Sequence, residues 1–148
     1  MLPARMDKGH ILLVEDNPTV LTAFEVVLNS QGYKTTLATS LSEAIERARA
    51  TPDLDLVITD YHLGGKETGR QVVTAIRELH GPAFKAIVVT GDTFAAVHAF
   101  DGEPYLCWLR KPVDLRQLNT ILDKFLGAGC QSNAAADPPS TSQRDRRA

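Results

Sequence analysis

Three carboxylates stand at the ends of two apolar runs in this chain. Glu15 and Asp16 follow the run Ile-Leu-Leu-Val at 11–14, and Asp60 follows Leu-Asp-Leu-Val-Ile-Thr at 54–59. Such runs are typical of strands in a buried parallel sheet, which binds ligands at the carboxyl ends of its strands. Three acids at that edge repel one another unless a cation joins them, so the pattern predicts a divalent metal site. An aspartate held there can also act as a nucleophile.

Two further apolar runs are followed by a polar side chain. Thr90 follows the run at 86–89, and Lys111 comes just after the run at 105–109. In a doubly wound sheet all these strand ends converge beside one crevice. Acids there hold a hard cation, an ammonium group neutralises phosphoryl oxygens, and a hydroxyl donates one hydrogen bond. A carboxylate among these groups can attack phosphorus and become an aspartyl phosphate.

Regular elements must position these residues, and the pattern between residues 10 and 126 provides them. Apolar or alternating runs predict five strands, near 10–14, 33–38, 54–59, 86–89 and 105–109. Apolar residues at helical spacing predict five helices, which begin near Pro18, Leu41, Gly69, Thr93 and Leu115. N-cap residues are predicted at Asn17, Ser40 and Asp114. Strict alternation of strands and helices predicts an α/β fold, a doubly wound parallel sheet with right-handed crossovers.

Length and composition favour a single globular domain. The chain has 148 residues, of which 43% are apolar and 23% charged, which suits one full hydrophobic core. A net charge of −2 gives no electrostatic reason to bind nucleic acid or an anionic membrane. No apolar stretch approaches the roughly 20 residues that span a bilayer, and the first residues lack the pattern of a secretory signal. Cys107 and Cys130 are therefore expected to be reduced, in a cytoplasmic protein.

Three segments are predicted along the chain. Residues 1–8 form a flexible arm, residues 9–126 form the folded domain, and residues 127–148 form a disordered tail because they contain almost no apolar bulk. The tail is too poor in core residues to be an output domain. His10, His80 and His98 join no cluster of functional residues, so they are expected at the surface or at a strand edge.

Four short motifs give the chain a family resemblance. They are Leu-Leu-Val-Glu-Asp-Asn at 12–17, Ile-Thr-Asp at 58–60, Val-Thr-Gly at 89–91 and Lys-Pro at 111–112. In this order and on these elements, the chain resembles the receiver domain of two-component response regulators over residues 9–126. The resemblance implies a flavodoxin-like, three-layer α/β/α fold with strand order 2-1-3-4-5. The loop after Asp60 lacks the Met-Pro common in regulators and looks more like that of receivers associated with hybrid sensor kinases.

The resemblance also assigns roles at the phosphorylation site. It implies that Asp60 is the phosphoacceptor. Glu15 and Asp16 are similar to the acidic pair that positions Mg²⁺ or Mn²⁺, assisted by Asp60 and by the backbone carbonyl of His62. Lys111 matches the lysine that contacts a phosphoryl oxygen, and the family's peptide bond before the following proline is cis.

Further roles concern the response to phosphorylation. Thr90 resembles the family's switch hydroxyl, which moves toward the phosphoryl group. Trp108 stands where the family usually carries a Tyr or Phe that turns inward on activation, although partly buried packing is an alternative role for this ring. His62 and Asp92 occupy positions that could tune the lifetime of the phosphoryl group through access of water.

The function expected from this resemblance is that of a stand-alone receiver. It would take a phosphoryl group from a histidine kinase or a histidine phosphotransfer protein onto Asp60 and signal through changed contacts with an unidentified downstream protein. We expect a signalling protein that catalyses its own phosphorylation and dephosphorylation, without direct nucleic-acid binding or membrane insertion. A phosphorylation-dependent dimer is compatible with the resemblance.

Three alternative functions are left open by the sequence. A metal-dependent phosphohydrolase of the haloacid dehalogenase type uses a similar layout but needs an acid two residues after the nucleophile, where this chain has His62. A flavin- or nucleotide-binding module needs a Gly- or Ser/Thr-rich phosphate loop after the first strand, whereas acids at that position repel phosphate. A phosphorylation-independent interaction domain would not need the complete set of acids and lysine.

Overall fold

Five short strands form the centre of the structure. The computed structural model describes residues 8–91 and 103–127, so the predicted helix at 93–100, Asp92, His98 and nearly all of the predicted arm and tail lie outside the described residues. The strands are β1 (His10–Val14), β2 (Lys34–Ala38), β3 (Leu56–Asp60), β4 (Lys85–Thr90) and β5 (Leu106–Arg110). All neighbouring pairs are parallel, in the order β2-β1-β3-β4-β5. The predicted doubly wound, flavodoxin-like sheet is therefore confirmed.

Four helices occur within the described residues. They are α1 (Pro18–Ser30), α2 (Leu41–Ala50), α3 (Gly69–His80) and α4 (Leu115–Leu126). The predicted N-caps Asn17, Ser40 and Asp114 each accept a backbone N–H of the following helix, which satisfies donors that the helix itself leaves unpaired. Thr68 caps α3 in the same way, and the side chain of Gln71 reaches back to the Thr68 N–H. Thr-x-x-Gln is the capping-box spacing, so each described helix has a start that its sequence explains.

The apolar residues of the strands divide between the two faces of the sheet. Leu12 and Val14 belong to one buried cluster, together with apolar residues of α2 and α3. Ile11 and Leu13 belong to a second cluster, together with apolar residues of α1 and α4. This alternation follows from the two-residue period of a strand. Helices cover both faces of the sheet. The polar residues that end the strands therefore lie beyond these covered faces, at the ends of the strands.

His10 contradicts the expectation that it lies at the surface or on a strand edge. It opens β1, which has a neighbour on either side, and only 2% of its surface is exposed. Its Nδ1 lies 3.1 Å from an oxygen of Asp53 and its Nε2 lies 2.6 Å from the hydroxyl of Thr36. The prediction failed because these partners are 43 and 26 residues away along the chain.

No helix among the described residues is both long and apolar enough to cross a bilayer.

Candidate functional site

Three carboxylates meet at the carboxyl end of the sheet. Glu15 and Asp16 lie just after β1, and Asp60 is the last residue of the adjacent strand β3. One oxygen from each carboxylate lies within 4.8 Å of the other two. Glu15 and Asp60 are buried, whereas Asp16 is exposed and leaves the cluster open to solvent on one side. The structure thus brings together the three acids that the strand ends point to, with one side accessible to a ligand.

Lys111 supplies the positive charge of the site. Its Nζ lies 3.1 Å from Asp60 Oδ2, and the carboxylate is far more buried than the lysine side chain. The backbone N–H of Lys111 donates to the carbonyl of Thr90, which fixes the lysine at the end of β5. Among residues 8–91 and 103–127, one ammonium group therefore faces three carboxylates, and these described groups carry an excess of acids over bases.

The excess of negative charge affects the pKa of Glu15. Burial raises the pKa of the Glu15 carboxyl, and the negative charge of Asp60 raises it further. The Asn17 backbone N–H, which donates to Glu15 Oε2 at 3.1 Å, and the charge of Lys111 act in the opposite direction. Ionised Glu15 is thus held against desolvation and like charge. A divalent cation would relieve both penalties, so the donor set fits a hard cation with oxygen ligands.

The loop after Asp60 forms a compact hairpin beside the acids. The Leu63 N–H donates to the Glu67 carbonyl, and the Glu67 N–H donates to the Gly64 carbonyl. His62 and Thr68 form a bridge at its base. At the tip, Gly64 adopts a φ of 88°, and a Cβ on this residue would lie 3.2 Å from Asp16 Oδ2. The loop therefore packs its backbone directly against a carboxylate of the site.

Gly69 allows α3 to begin close to the phosphoacceptor candidate. A Cβ at this position would lie 2.6 Å from the backbone oxygen of Asp60, a distance that no side chain tolerates. The Gly69 N–H donates to the Tyr61 carbonyl at 2.6 Å. This hydrogen bond joins the start of α3 to the residue after β3, so the two ends of the loop at 61–68 lie close together.

The remaining candidate residues take different places around the acids. Thr90 ends β4 and is fully buried. Trp108 lies on β5, half-buried against the cluster that contains α2 and α3, with its ring centroid 6.4 Å from that of Tyr61. His62 is exposed, and its ring meets Tyr61 edge-on at 4.9 Å. Asp92 lies outside the described residues. The ligand role of the His62 carbonyl and the switch roles of Thr90 and Trp108 stay predictions.

Two polar groups near the site make contacts that were not predicted from the sequence. One is the Asn17 backbone N–H, which bonds Glu15 although only the helix-capping side chain of Asn17 was predicted. The other is Glu67, whose Oε1 accepts the Leu41 N–H of α2 at 3.1 Å. No local signal could have identified Glu67, because its partner lies 26 residues away.

Comparisons with known proteins agree with this geometry. Residues 11–123 match the family profile of the response regulator receiver domain. The chain is 32% identical over 120 residues to the transcriptional regulatory protein GlrR of Escherichia coli K12, covering 80% of this chain and 26% of that protein. It is 30% identical over 83 residues to the two-component response regulator PprB of Pseudomonas aeruginosa, covering 55% of this chain and 30% of PprB. The chain thus spans less than a third of the length of these relatives.

Solved structures give the same result. A response regulator receiver protein of Sinorhizobium medicae is 29% identical, with a TM-score of 0.71, over 81% of this chain and 95% of that one. The receiver domain of sensor histidine kinase PA1611 of Pseudomonas aeruginosa is 28% identical, with a TM-score of 0.70, over 81% of this chain and 98% of that one. In that neighbour a magnesium ion is coordinated in the active-site cleft.

Proposed function

We propose a function for this chain from one premise, that it belongs to the response regulator receiver family, whose profile matches residues 11–123. The proposed function is to accept a phosphoryl group on Asp60 from the phosphohistidine of a sensor kinase or histidine phosphotransfer protein. One observation carries the proposal. Asp60 Oδ2 lies 3.1 Å from Lys111 Nζ, within a cluster of three carboxylate oxygens that are mutually within 4.8 Å.

The proposed chemistry uses Asp60 as the nucleophile. A carboxylate oxygen of Asp60 attacks phosphorus, a P–O bond forms while the P–N bond of the phosphohistidine breaks, and the imidazole leaves with the electron pair. Lys111 donates to a phosphoryl oxygen and compensates its charge. Mg²⁺ or Mn²⁺, held by Glu15, Asp16, Asp60 and the His62 carbonyl, would supply further charge neutralisation when bound. Positioning and electrostatics thus account for the acceleration.

The proposed output begins with the charge of the acyl phosphate. The acyl phosphate carries about two negative charges where the free carboxylate carried one, so the site gains about one negative charge beside Lys111. Thr90, at the end of β4, is the proposed hydroxyl that follows this charge, and Trp108 is the proposed ring that repacks with it. His62, exposed beside the site, is the proposed regulator of water access to the acyl phosphate. A changed surface would then meet a downstream protein.

The proposed class is a signalling protein that catalyses its own phosphorylation and dephosphorylation. The absence of an acid two residues after Asp60 disfavours a phosphohydrolase. The expectation of a receiver that acts without an attached output domain stays a prediction, since the curated relatives are more than three times as long as the matched region. The cognate kinase, the downstream protein and a phosphorylation-dependent dimer also stay predictions.

The proposal is tested by replacing the acceptor. Wild-type protein incubated with Mg²⁺ and acetyl phosphate should gain one phosphoryl group, detected by intact mass spectrometry. Asp60→Asn should gain none, because an amide is a very poor nucleophile toward phosphorus. Asp55→Asn is the matched control, since Asp55 precedes the same strand at its opposite end and should leave labelling intact. Labelling of Asp60→Asn at the wild-type level would overturn the proposal.

A further inference from the structure

The hairpin after Asp60 is attached to a helix that holds none of the site residues. Glu67 Oε1 accepts the N–H of Leu41, the first residue of α2, at 3.1 Å in a partly buried position. A helix leaves its first N–H groups without partners and favours negative charge near them. The Glu67 carboxylate lies outside the helix, accepts one of these N–H groups and places negative charge near the helix N-terminus. This contact joins the hairpin, at the residue just after its tip, to a second, independently packed element.

The rest of the α2 start does not depend on Glu67. Ser40 Oγ accepts the Glu43 N–H at 3.2 Å, and Glu43 Oε1 accepts both the N–H and the hydroxyl of Thr39. Leu41 also packs against the cluster between the sheet and α2 and α3. The helix is therefore capped and anchored by its own residues, and the bond from Glu67 serves the hairpin more than the helix.

The hairpin benefits from such an anchor because its tip contains two consecutive glycines, whose ordering costs more backbone entropy than that of other residues. Gly64 and Gly65 both have positive φ, 88° and 54°, and both are exposed together with Lys66. Glycine loses more backbone freedom on ordering than any other residue. The tip also packs against the carboxylate of Asp16, at Gly64. Disorder at the tip would therefore spread to a carboxylate of the cation site.

We propose that Glu67 is a positioning residue for the cation site: its bond to the Leu41 N–H holds the hairpin against Asp16 and so preorganises the acidic cluster. This inference rests on the proposed function of that cluster. Groups one step removed from the ligands commonly set the affinity of a metal site by fixing ligand orientation. The bond is formed before the cation binds, so the hairpin is already ordered in the free protein. Cation binding then does not have to lose the conformational entropy of ordering the hairpin, and the affinity is higher.

The first test compares two variants of Glu67 that carry the same charge. Glu67→Gln keeps an oxygen that can accept the Leu41 N–H, whereas Glu67→Ala does not. Binding of Mn²⁺ to the full chain is followed by electron paramagnetic resonance of the free ion. We expect the Kd of Glu67→Ala to be about fivefold higher than that of Glu67→Gln, the loss of about one hydrogen bond. Equal Kd values for the two variants would overturn the inference.

The second test removes the donor. Leu41→Pro and Leu41→Ala both lose the leucine side chain, but only proline lacks the N–H, and proline is tolerated at the first position of a helix. Leu41→Pro should bind Mn²⁺ about fivefold more weakly than Leu41→Ala, and adding Glu67→Ala to Leu41→Pro should change nothing further. A full additional loss in the double variant would show that Glu67 acts through another contact.

Two controls separate this inference from its alternatives. Ser40→Ala should lower the melting temperature by weakening α2 while leaving the Mn²⁺ Kd unchanged, so a Kd that follows stability in all variants contradicts a positioning role. Asp16→Asn should abolish tight binding in any case. If the wild-type chain binds no Mn²⁺, the proposed cation site fails; if it binds and Glu67→Ala binds equally well, only the role of Glu67 fails.

Discussion

The two ends of the central sheet both bury polar side chains, but they do so in opposite ways. At the amino end, His10 is buried and both ring nitrogens have partners, at 3.1 Å from Asp53 and at 2.6 Å from Thr36. Its backbone N–H also donates to Asp55 at 2.8 Å. With a proton on Nδ1, the ring can donate to Asp53 and accept from the Thr36 hydroxyl. This end contains acids, but each described contact pairs a donor with an acceptor.

The carboxyl end instead brings groups of like charge together. Glu15, Asp16 and Asp60 share one crevice, and Lys111 is the ammonium group that contacts Asp60. Burial and the neighbouring charge raise the pKa of Glu15, which means that ionisation of this carboxyl costs folding free energy. The polar cluster around His10 therefore stabilises the fold. The cluster of Glu15, Asp16 and Asp60 instead contains repulsion that binding of a cation would relieve.

The largest expected difference between the ends appears when a histidine is removed. His10→Ala should lower the free energy of unfolding by about 2–4 kcal/mol, because it leaves a cavity and unpaired groups at Thr36 and Asp53. Urea denaturation measures this loss, and His62→Ala, which removes an exposed ring, is the matched control. Cation affinity should be unchanged in His10→Ala if the two ends are independent, and a large change in affinity would show that they are coupled.

The opposite sign is expected at the carboxyl end. In the absence of divalent cations, Asp60→Asn should raise the free energy of unfolding by about 1 kcal/mol, since it removes repulsion with Glu15 and Asp16 and gives up one attraction to Lys111. Urea denaturation in EDTA measures the change. A loss of stability as large as that of His10→Ala would mean that the acids are compensated within the fold and that the two ends do not differ.

The smallest expected effect concerns pH at the amino end. The hydrogen bond from His10 lowers the pKa of the Asp53 carboxyl. A carboxyl with a lowered folded-state pKa contributes stability above its ordinary value of 3.8, and that stability is lost as pH falls through the folded-state value. Asp53 is half exposed, so the contribution is about 0.5 kcal/mol after screening by solvent.

The measurement for this prediction is the difference in unfolding free energy between wild type and Asp53→Asn as a function of pH. The difference should be fully present above the ordinary carboxyl value of 3.8 and should shrink as pH falls below it. Glu25→Gln, on α1, provides the baseline for an acid removed elsewhere. A difference that does not shrink as pH falls below 3.8 would show that Asp53 is not stabilised as a carboxylate by His10.

Much of the fold could be predicted from local patterns. Apolar runs and helical spacing located all five strands and the four described helices to within a few residues, because burial on both faces of a parallel sheet demands continuous apolar runs. The sequence also predicted that Glu15, Asp16, Asp60, Thr90 and Lys111 lie at the carboxyl end of the sheet. This follows because parallel strands all end on the same side of the sheet.

Contacts between distant segments could not be predicted in this way. In the sequence, His10 is an ordinary strand residue. Only in the folded chain do β2 and the segment before β3 bring Thr36 and Asp53 into contact with its ring. Glu67 reads as a loop acid until the hairpin places it at the first N–H of α2. Neither partner lies within one turn or one strand of its counterpart, so no local periodicity records the contact.

The sequence by itself therefore determined which elements form, the order of the chemistry along the chain and the family to which that chemistry is similar. Only the tertiary structure decided how the polar groups are paired: acids against acids at the carboxyl end, and donor against acceptor at the amino end. The physical reason is that side-chain periodicity is a local property of helices and strands, whereas the energy of a buried polar group depends on what the rest of the fold places beside it.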